Sequence, residues 1–370
     1  MTAKVLLFLT SLVLSSTAFA FEIEYVADFT LSFNQQFQKT TVGGLSSLIF
    51  DATKDGFYSL SDDRGRINES RFYFLNFKLK TDKDKKVSFE VEPKEVIFID
   101  QNKKEKEALD PESFIQLPSG NFLIGSEGDN KTKPRLKPRL LEVTAQGKWI
   151  RDITVPSKFI PESTGLQMRG IRNNNGFEGM SLAPSGKWFL VGTEETLIQD
   201  GLDSNFKVGG TVRFIKYEIS GEKIQATAEW AYQLDPVEQQ GLTSKVVGSG
   251  VSEILFVSED QFLVLERATV IEFGKYTDDL KLFLVTLGSQ DDVSSQPTLS
   301  KKVKTLAKKL ILDFDTILPL MNDPKDLDNL EAIAFGPKLP DGRKTLLFGS
   351  DNNFQSIQRS LFLLFAVKSR

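Results

Sequence analysis

GFEGMSLAPSGKWFLVGTEE, residues 176–195, reads as a β-hairpin with a carboxylate at each open end. Phe177, Met180 and Leu182 supply the apolar positions of a first strand. Pro184-Ser185-Gly186 is a turn signal, and Trp188 to Val191 make a second, wholly apolar strand. Glu178 opens the first strand and Glu194 closes the second. In an antiparallel pair the start of one strand lies beside the end of the next, so both carboxylates are expected at one edge of the sheet.

The stretch recurs. GLSSLIFDATKDGFYSLSD (44–62) and DPESFIQLPSGNFLIGSE (110–127) precede it; GVSEILFVSEDQFLVLE (250–266) and NLEAIAFGPKLPDGRKTLLFGSD (329–351) follow it. Their starts lie 66, 66, 74 and 79 residues apart, a period long enough for four strands with generous loops. Aligned on the hairpin, the closing position is Asp62, Glu127, Glu194, Glu266 and Asp351. The opening position is Ser46, Glu112, Glu178, Ser252 and Glu331.

Each hairpin is followed by further strand signals. RFYFLNFKL (71–79) and EVIFID (95–100) complete the first unit, and residues 140–143 and 149–155 the second. Residues 211–219 and 226–234 complete the third, and 281–287 and 310–314 the fourth. The polar segment 290–304 reads as an excursion, with a short helix expected over 300–310. The fifth unit has only LFLLFAV (361–367) after its hairpin, while residues 21–32 form a strand with no partner of their own. Pairing these two completes the last unit and closes a ring. The expected fold is therefore all-β: a single β-propeller of four-stranded blades, five by repeat count and six as the alternative, with the N-terminal strand closing the last blade.

Composition narrows the chemistry. Of 370 residues, 40% are hydrophobic and 26% charged, which is ordinary for a globular chain. The net charge of −4 gives no reason to expect nucleic acid or an anionic membrane as a partner. Residues 1–20 carry Lys4, an apolar run and Ala18-Phe19-Ala20, the pattern of a secretory signal peptide; a membrane anchor is the alternative. The remaining 21–370 are expected to form one domain in a periplasmic or secreted, monomeric protein with no integral membrane segment after processing. There is no cysteine and no histidine. That removes disulfides, Ser-His-Asp and Cys-His catalysis in their usual forms, and the common zinc sites. Chemistry must come from carboxylates, Arg, Lys, Tyr, hydroxyls or a metal held by oxygen.

If each hairpin is the inner pair of its blade, the repeat-equivalent acids converge on one mouth of the central channel. Asp62, Glu127, Glu194, Glu266 and Asp351 form the rim, with Glu112, Glu178 and Glu331 beside them and Asp63, Asp129, Glu195 and Glu253 close in sequence. Such a density of carboxylates is costly unless cations neutralise it. Oxygen-only ligands favour calcium or magnesium, and calcium tolerates an irregular site better. Arg64, Arg139, Arg172 and Arg267 flank the acids and suit a phosphate or carboxylate. The competing reading is structural: acids at strand ends also cap turns and pair with arginine between blades. The basic loop 131–139 reads either as solvated or, through Arg139, as an anion site.

At these residues the sequence resembles the family described as "esterase-like activity of phytase". The resemblance rests on FEGMSL and the acid-ended strand after it (177–195), DPESF…GSEGD (110–129), PRL (138–140) and NLEAIAF…GSDNNF (329–354). It implies an exported propeller hydrolysing ester or phosphoester bonds of a small molecule. Classical propeller phytases use bound calcium and six blades. With five counted here, only Glu112, Glu127, Glu178, Glu194, Glu331 and Asp351 are carried over. Two functions follow as expectations. The first is a calcium-assisted hydrolase, with Asp62, Glu112, Glu127, Glu195, Glu266, Glu331 and Asp351 as metal ligands. In it Glu178 or Glu194 is general base, and Arg64, Arg139, Arg172 and Arg267 bind the substrate. The second is a non-catalytic propeller that binds a ligand or a protein at its mouth.

Overall fold

The computed structural model describes residues 21–101, 108–288, 291–324 and 327–368. The leader expected over 1–20 lies outside the described residues. Five four-stranded antiparallel sheets are arranged as the blades of a propeller. From the axis outward, blade 1 runs Leu45–Asp51, Gly56–Ser61, Arg71–Thr81 and Val87–Phe98. Blade 2 runs Pro111–Gln116, Phe122–Ser126, Arg139–Val143 and Trp149–Ile153. Blade 3 runs Phe177–Leu182, Trp188–Thr193, Thr211–Ser220 and Lys223–Gln233. Blade 4 runs Lys245–Phe256, Gln261–Glu272, Lys275–Thr286 and Ala307–Asp313. Blade 5 takes Asn329–Gly336, Thr345–Asp351 and Ser360–Val367 from the end of the chain. Its outer strand is Ile23–Leu31, antiparallel to Ser360–Val367, as the unpaired N-terminal strand required.

The blades adhere because the middle strands are apolar on both faces, as strands covered on both sides must be. Each of the five interfaces is filled by its own cluster. Between blades 1 and 2 the filling is largely aromatic: Phe114 stacks on Phe122 at 4.7 Å, and Tyr58 and Phe72 meet Phe122 at 4.9 and 5.1 Å. Wedges that widen outward need large side chains, which accounts for the 30 phenylalanines.

All five blades also place a basic residue near the mouth, on or just before the third strand, tied to an acid. Arg71 meets Asp63 at 2.8 Å, Arg139 meets Asp152 at 3.0 Å, Arg213 meets Asp200 at 2.6 Å, Lys281 meets Asp279 at 3.0 Å and Arg359 meets Asp328 at 2.6 Å. In blade 3 the Arg213 and Asp200 side chains are fully enclosed. Arg213 also reaches Glu229 at 3.0 Å, and Lys158 reaches Glu229 at 3.2 Å. Arg213 and Lys158 further donate to carbonyls of the excursion expected at 290–304. That segment leaves blade 4 and lies along the outer edge of blade 3, where Leu306 N–H bonds Ala231 O at 2.9 Å. The short helix expected over 300–310 is not there. Residues 301–302 turn, and Ala307–Asp313 is already strand, drawn into pairing with Lys275–Thr286.

Candidate functional site

The innermost strands of all five blades share one irregularity. Their register slips at Ser46, Glu112, Glu178-Gly179, Ser252 and Glu331, and each slip inserts one extra residue opposite the second strand. A β-bulge re-aims a side chain and increases local twist. Here the bulge falls on the opening position of every repeat. It presents Glu112, Glu178 and Glu331 at the channel mouth, with Ser46 and Ser252 in the other two blades.

The closing position sits directly across from the start of each inner strand. Asp62 N–H donates to Gly44 O at 2.8 Å, Glu127 N–H to Asp110 O at 3.1 Å and Glu194 N–H to Gly176 O at 2.8 Å, while Asp351 pairs with Asn329. In blade 4 the residue opposite Gly250 is Arg267, and Glu266 pairs with Val251 one step along. The blade 4 hairpin runs past the ring, from Lys245 and to Glu272, so it holds no strand end to align on. A slip of one residue sends a side chain to the opposite face. Glu266 therefore points into the outer blade, accepting from Tyr232 Oη at 2.5 Å, Lys308 Nζ at 2.6 Å and Asp235 N–H at 3.0 Å. Arg267 takes the fifth place in the ring.

Eight carboxylates and two arginines thus meet at the mouth: Asp62, Asp110, Glu112, Glu127, Glu178, Glu194, Glu331 and Asp351 with Arg64 and Arg267. Arg64 Nε lies 2.5 Å from Asp110, and its Nη2 donates to Asn174. Arg267 Nη2 lies 3.4 Å from Glu194 and 3.3 Å from Glu331. Asn175 donates to Glu194 and Asn329 to Glu331, both at 2.7 Å. One oxygen each of Asp110, Glu112 and Glu127 lie within 4.8 Å of one another; so do those of Glu127, Glu178 and Glu194. Glu127 is common to both groups. One of its oxygens accepts from Gly176 N–H, and the other, fully buried, has no hydrogen-bond partner.

Burial, compounded by neighbouring carboxylates, raises Glu112, Glu127, Glu178 and Asp351 well above the ordinary range. Burial also lifts Asp62 to about 7, further raised by Glu331. Asp110 rises to about 6 and Glu194 to about 7 for the same first reason, with Arg64 and Arg267 respectively opposing the rise. Beneath the ring, Glu253 of blade 4 crosses the axis. It accepts from Ser47 Oγ of blade 1 at 2.9 Å and from Met180 N–H of blade 3 at 3.0 Å, which ties three blades together under the mouth.

Four expected site residues stand elsewhere, each held by a local partner. Glu195 caps a loop through the N–H groups of Thr196 and Ser204 at 2.7 and 2.9 Å. Glu266 is turned away as described. Arg139 is a third-strand residue clamped on Asp152. Arg172 binds Thr196 O at 2.8 Å, Gly201 O at 2.6 Å and Asp203. Of the nearby acids, Asp63 accepts from three backbone N–H groups and Arg71. Sequence reasoning passed over Asp110, Asn174, Asn175 and Asn329. Asp110 had a signal: it is the sole acid among the repeat starts Gly44, Asp110, Gly176, Gly250 and Asn329.

The donor set fits a hard divalent cation. It is all oxygen, clustered within 4.8 Å, and includes a buried carboxylate oxygen with nothing to bond. Among the described residues no helix is long and apolar enough to cross a membrane. A family model described as "Phytase-like: Esterase-like activity of phytase" matches residues 40–354. An uncharacterized secreted protein of Arthroderma benhamiae is 26% identical over 178 residues, 41% of this chain and about a third (34%) of that protein's length. Among solved structures, the endo-arabinase of Bacteroides thetaiotaomicron matches over 92% of this chain and 99% of its own, with a TM-score of 0.41 and 10% identity. The α-L-arabinanase of Penicillium chrysogenum, solved with arabinobiose, matches over 71% and 63% with a TM-score of 0.31 and 13% identity.

Proposed function

The chain belongs to the phytase-like family, and from that membership together with the ring we propose that it is an exported hydrolase of small-molecule ester or phosphoester bonds, assisted by calcium. The observation that carries the reading is the pairing of a carboxylate cluster able to hold a cation with two arginines fixed in the same ring. Export is supported by the leader pattern and by the secreted relative.

Asp110, Glu112 and Glu127 would hold the calcium. Bound there, it would offset the charge of the ring and of an anionic substrate and lower the pKa of a coordinated water. The chain's own groups divide the remaining work. Arg64, held on Asp110, and Arg267, held between Glu194 and Glu331, present fixed cations to the oxygens of a phosphoryl or acyl group, where charge grows in the transition state. Glu194 is the general base. Burial brings its carboxyl to about 7, and Asn175 and Arg267 fix its orientation, so it takes a proton from water near neutral pH. Glu178, one bulge away in the same blade, is the second candidate for this proton. Glu253 and the bonds it makes hold the ring rigid from below.

The test is turnover of an aryl phosphate, inositol hexakisphosphate and a short-chain aryl carboxylate ester, with calcium and with chelator. Calcium-dependent turnover of one of these, abolished in Glu194→Gln or Glu178→Gln protein of unchanged fold, is the expected result. Turnover that ignores both chelator and substitution would reject the assignment.

A further inference from the structure

The stretch GSDNNF runs on past the last ring acid, Asp351, through Asn352, Asn353 and Phe354, and the cation cluster uses none of these three. Asn352 has a structural part. Its Oδ1 accepts from Gly44 N–H and from Phe354 N–H, both at 3.1 Å, which ties blade 5 to blade 1 at the mouth. Asp351 Oδ1 accepts from Asn353 N–H at 2.9 Å. The turn so held puts Asn353 and Phe354 in the left-handed region, with φ of 46° and 54°. Glycine or asparagine takes that conformation readily. A bulky aromatic residue does not, and such outliers gather at ligand sites.

The phenyl group of Phe354 lies across two glycines. A Cβ on Gly43 would stand 3.0 Å from Phe354 Cε1, and one on Gly44 would stand 2.7 Å from Cε2 and 2.0 Å from Asp62 Oδ1. The phenyl edge therefore borders the Asp62 carboxylate. Of the eight acids at the mouth Asp62 alone is partly exposed, the other seven being at most 7% exposed. Asp62 Oδ1 is enclosed without a partner, and its Oδ2 accepts no hydrogen bond from any described residue. Phe354 is itself partly exposed, with Asn353 exposed beside it.

We propose that Phe354 and Asp62 form a sugar subsite next to the cation cluster, and that the substrate is a phosphate ester of a sugar. The C–H face of a sugar lies flat on an aromatic side chain while its hydroxyls donate to a carboxylate, so one ligand meets both groups. A plain alkyl chain would leave Asp62 without a donor. A nucleobase would stand a sugar's width from the phosphorus, and the subsite is nearer than that: Arg64 follows Asp62 by two residues and is held on Asp110 of the cation cluster. The group bonded directly to the ester oxygen is therefore the one that meets Phe354. Two arginines and a cation at one mouth suit a phosphate dianion. The inference rests on the hydrolase reading and narrows it to one substrate class.

The experiment is calorimetry on the mature protein in calcium with glucose 1-phosphate, cyclohexyl phosphate and butyl phosphate, with KM in place of Kd for any ester that is cut. Glucose 1-phosphate is expected to bind about tenfold more tightly than butyl phosphate, through one stacking contact and one hydrogen bond, with cyclohexyl phosphate between them. Phe354→Leu is expected to remove the preference for both cyclic esters, and Phe354→Tyr to keep it. Asp62→Ala is expected to bring glucose 1-phosphate down to cyclohexyl phosphate. Ratios are the readout because a change in calcium occupancy moves all three esters alike, and an unchanged melting temperature verifies that each variant folds. No preference in wild type, a preference that survives Phe354→Leu, or no binding of any of the three overturns the proposal. Binding in the expected ratios with no ester cut would instead reject the hydrolase reading and leave the sugar subsite standing.

Discussion

Arg267 holds in blade 4 the place that Glu194 holds in blade 3, and its Nη2 lies 3.4 Å from the Glu194 carboxylate. One position of a fivefold acidic pattern is thus a cation. It neutralises part of the ring, with Glu331 on its other side at 3.3 Å. Removing one member of a buried ion pair costs about 3–5 kcal/mol, because the other charge is left without its partner. Arg267→Gln is expected to destabilise the protein by that order in chelator. Calcium restores more of the loss than it adds to wild type, since the variant ring is more negative. Melting curves with and without calcium check this, and KM for an anionic substrate is expected to rise in the same variant.

The ring also sets a pH dependence. Asp62, Asp110 and Glu194 have folded-state values of about 7, 6 and 7 against ordinary values of 3.8, 3.8 and 4.5. A raised value means that the folded state binds the proton more tightly. The stabilisation from these groups is therefore complete below about pH 4 and is lost as pH rises through 6 and 7. In chelator the melting temperature is expected to fall between about pH 5 and pH 8. The increment that calcium gives grows over the same window, as the carboxylates it needs lose their protons. Melting curves across that range would show a flat or opposite trend if the ring were not the dominant titrating group.

Register separates two glutamates that look alike in sequence. Glu266→Gln leaves a neutral amide among Tyr232, Lys308 and Asp235, outside the ring. It is expected to alter stability but not calcium affinity. Glu194→Gln removes a ring charge and is expected to weaken calcium by at least about tenfold, the scale of one lost coupling of 1.4 kcal/mol. Titrating calcium into both variants distinguishes them.

Arg213 joins blade 3 to the strap that leaves blade 4, through Asp200 at 2.6 Å, Glu229 at 3.0 Å and the carbonyl of Gln296 at 3.1 Å. Arg213→Met is expected to cost about 3–5 kcal/mol and to open the strap to protease before the blades. Calcium affinity stays unchanged, because none of these groups belongs to the ring.

The fold was legible because it is written five times. The repeat, the turn signals and the unpaired strand over 21–32 lead to the blade count and to the closure of Ile23–Leu31 on Ser360–Val367. The site was legible where a strand end and a ring position coincide, as at Asp62, Glu127, Glu194 and Asp351. It was misread in blade 4, whose strands run past the ring without a turn to mark it. There the acid nearest the expected end was Glu266, and the true ring residue was its neighbour. Arg139 and Arg172 lie near ring acids in sequence, but the third strand of blade 2 holds Arg139 on Asp152 and a loop holds Arg172 on Thr196, Gly201 and Asp203. Asn174 and Asn175 left no pattern, since only the loop conformation brings their amides to Arg64 and Glu194.

Calcium titration into chelator-stripped protein tests most directly whether the ring is a cation site. Calorimetry on wild type and Glu127→Gln, side by side above pH 7, is expected to show saturable binding with proton release in the first and none in the second. No heat from wild type, with a melting temperature that ignores calcium, would contradict the account and leave a propeller whose mouth binds by other means.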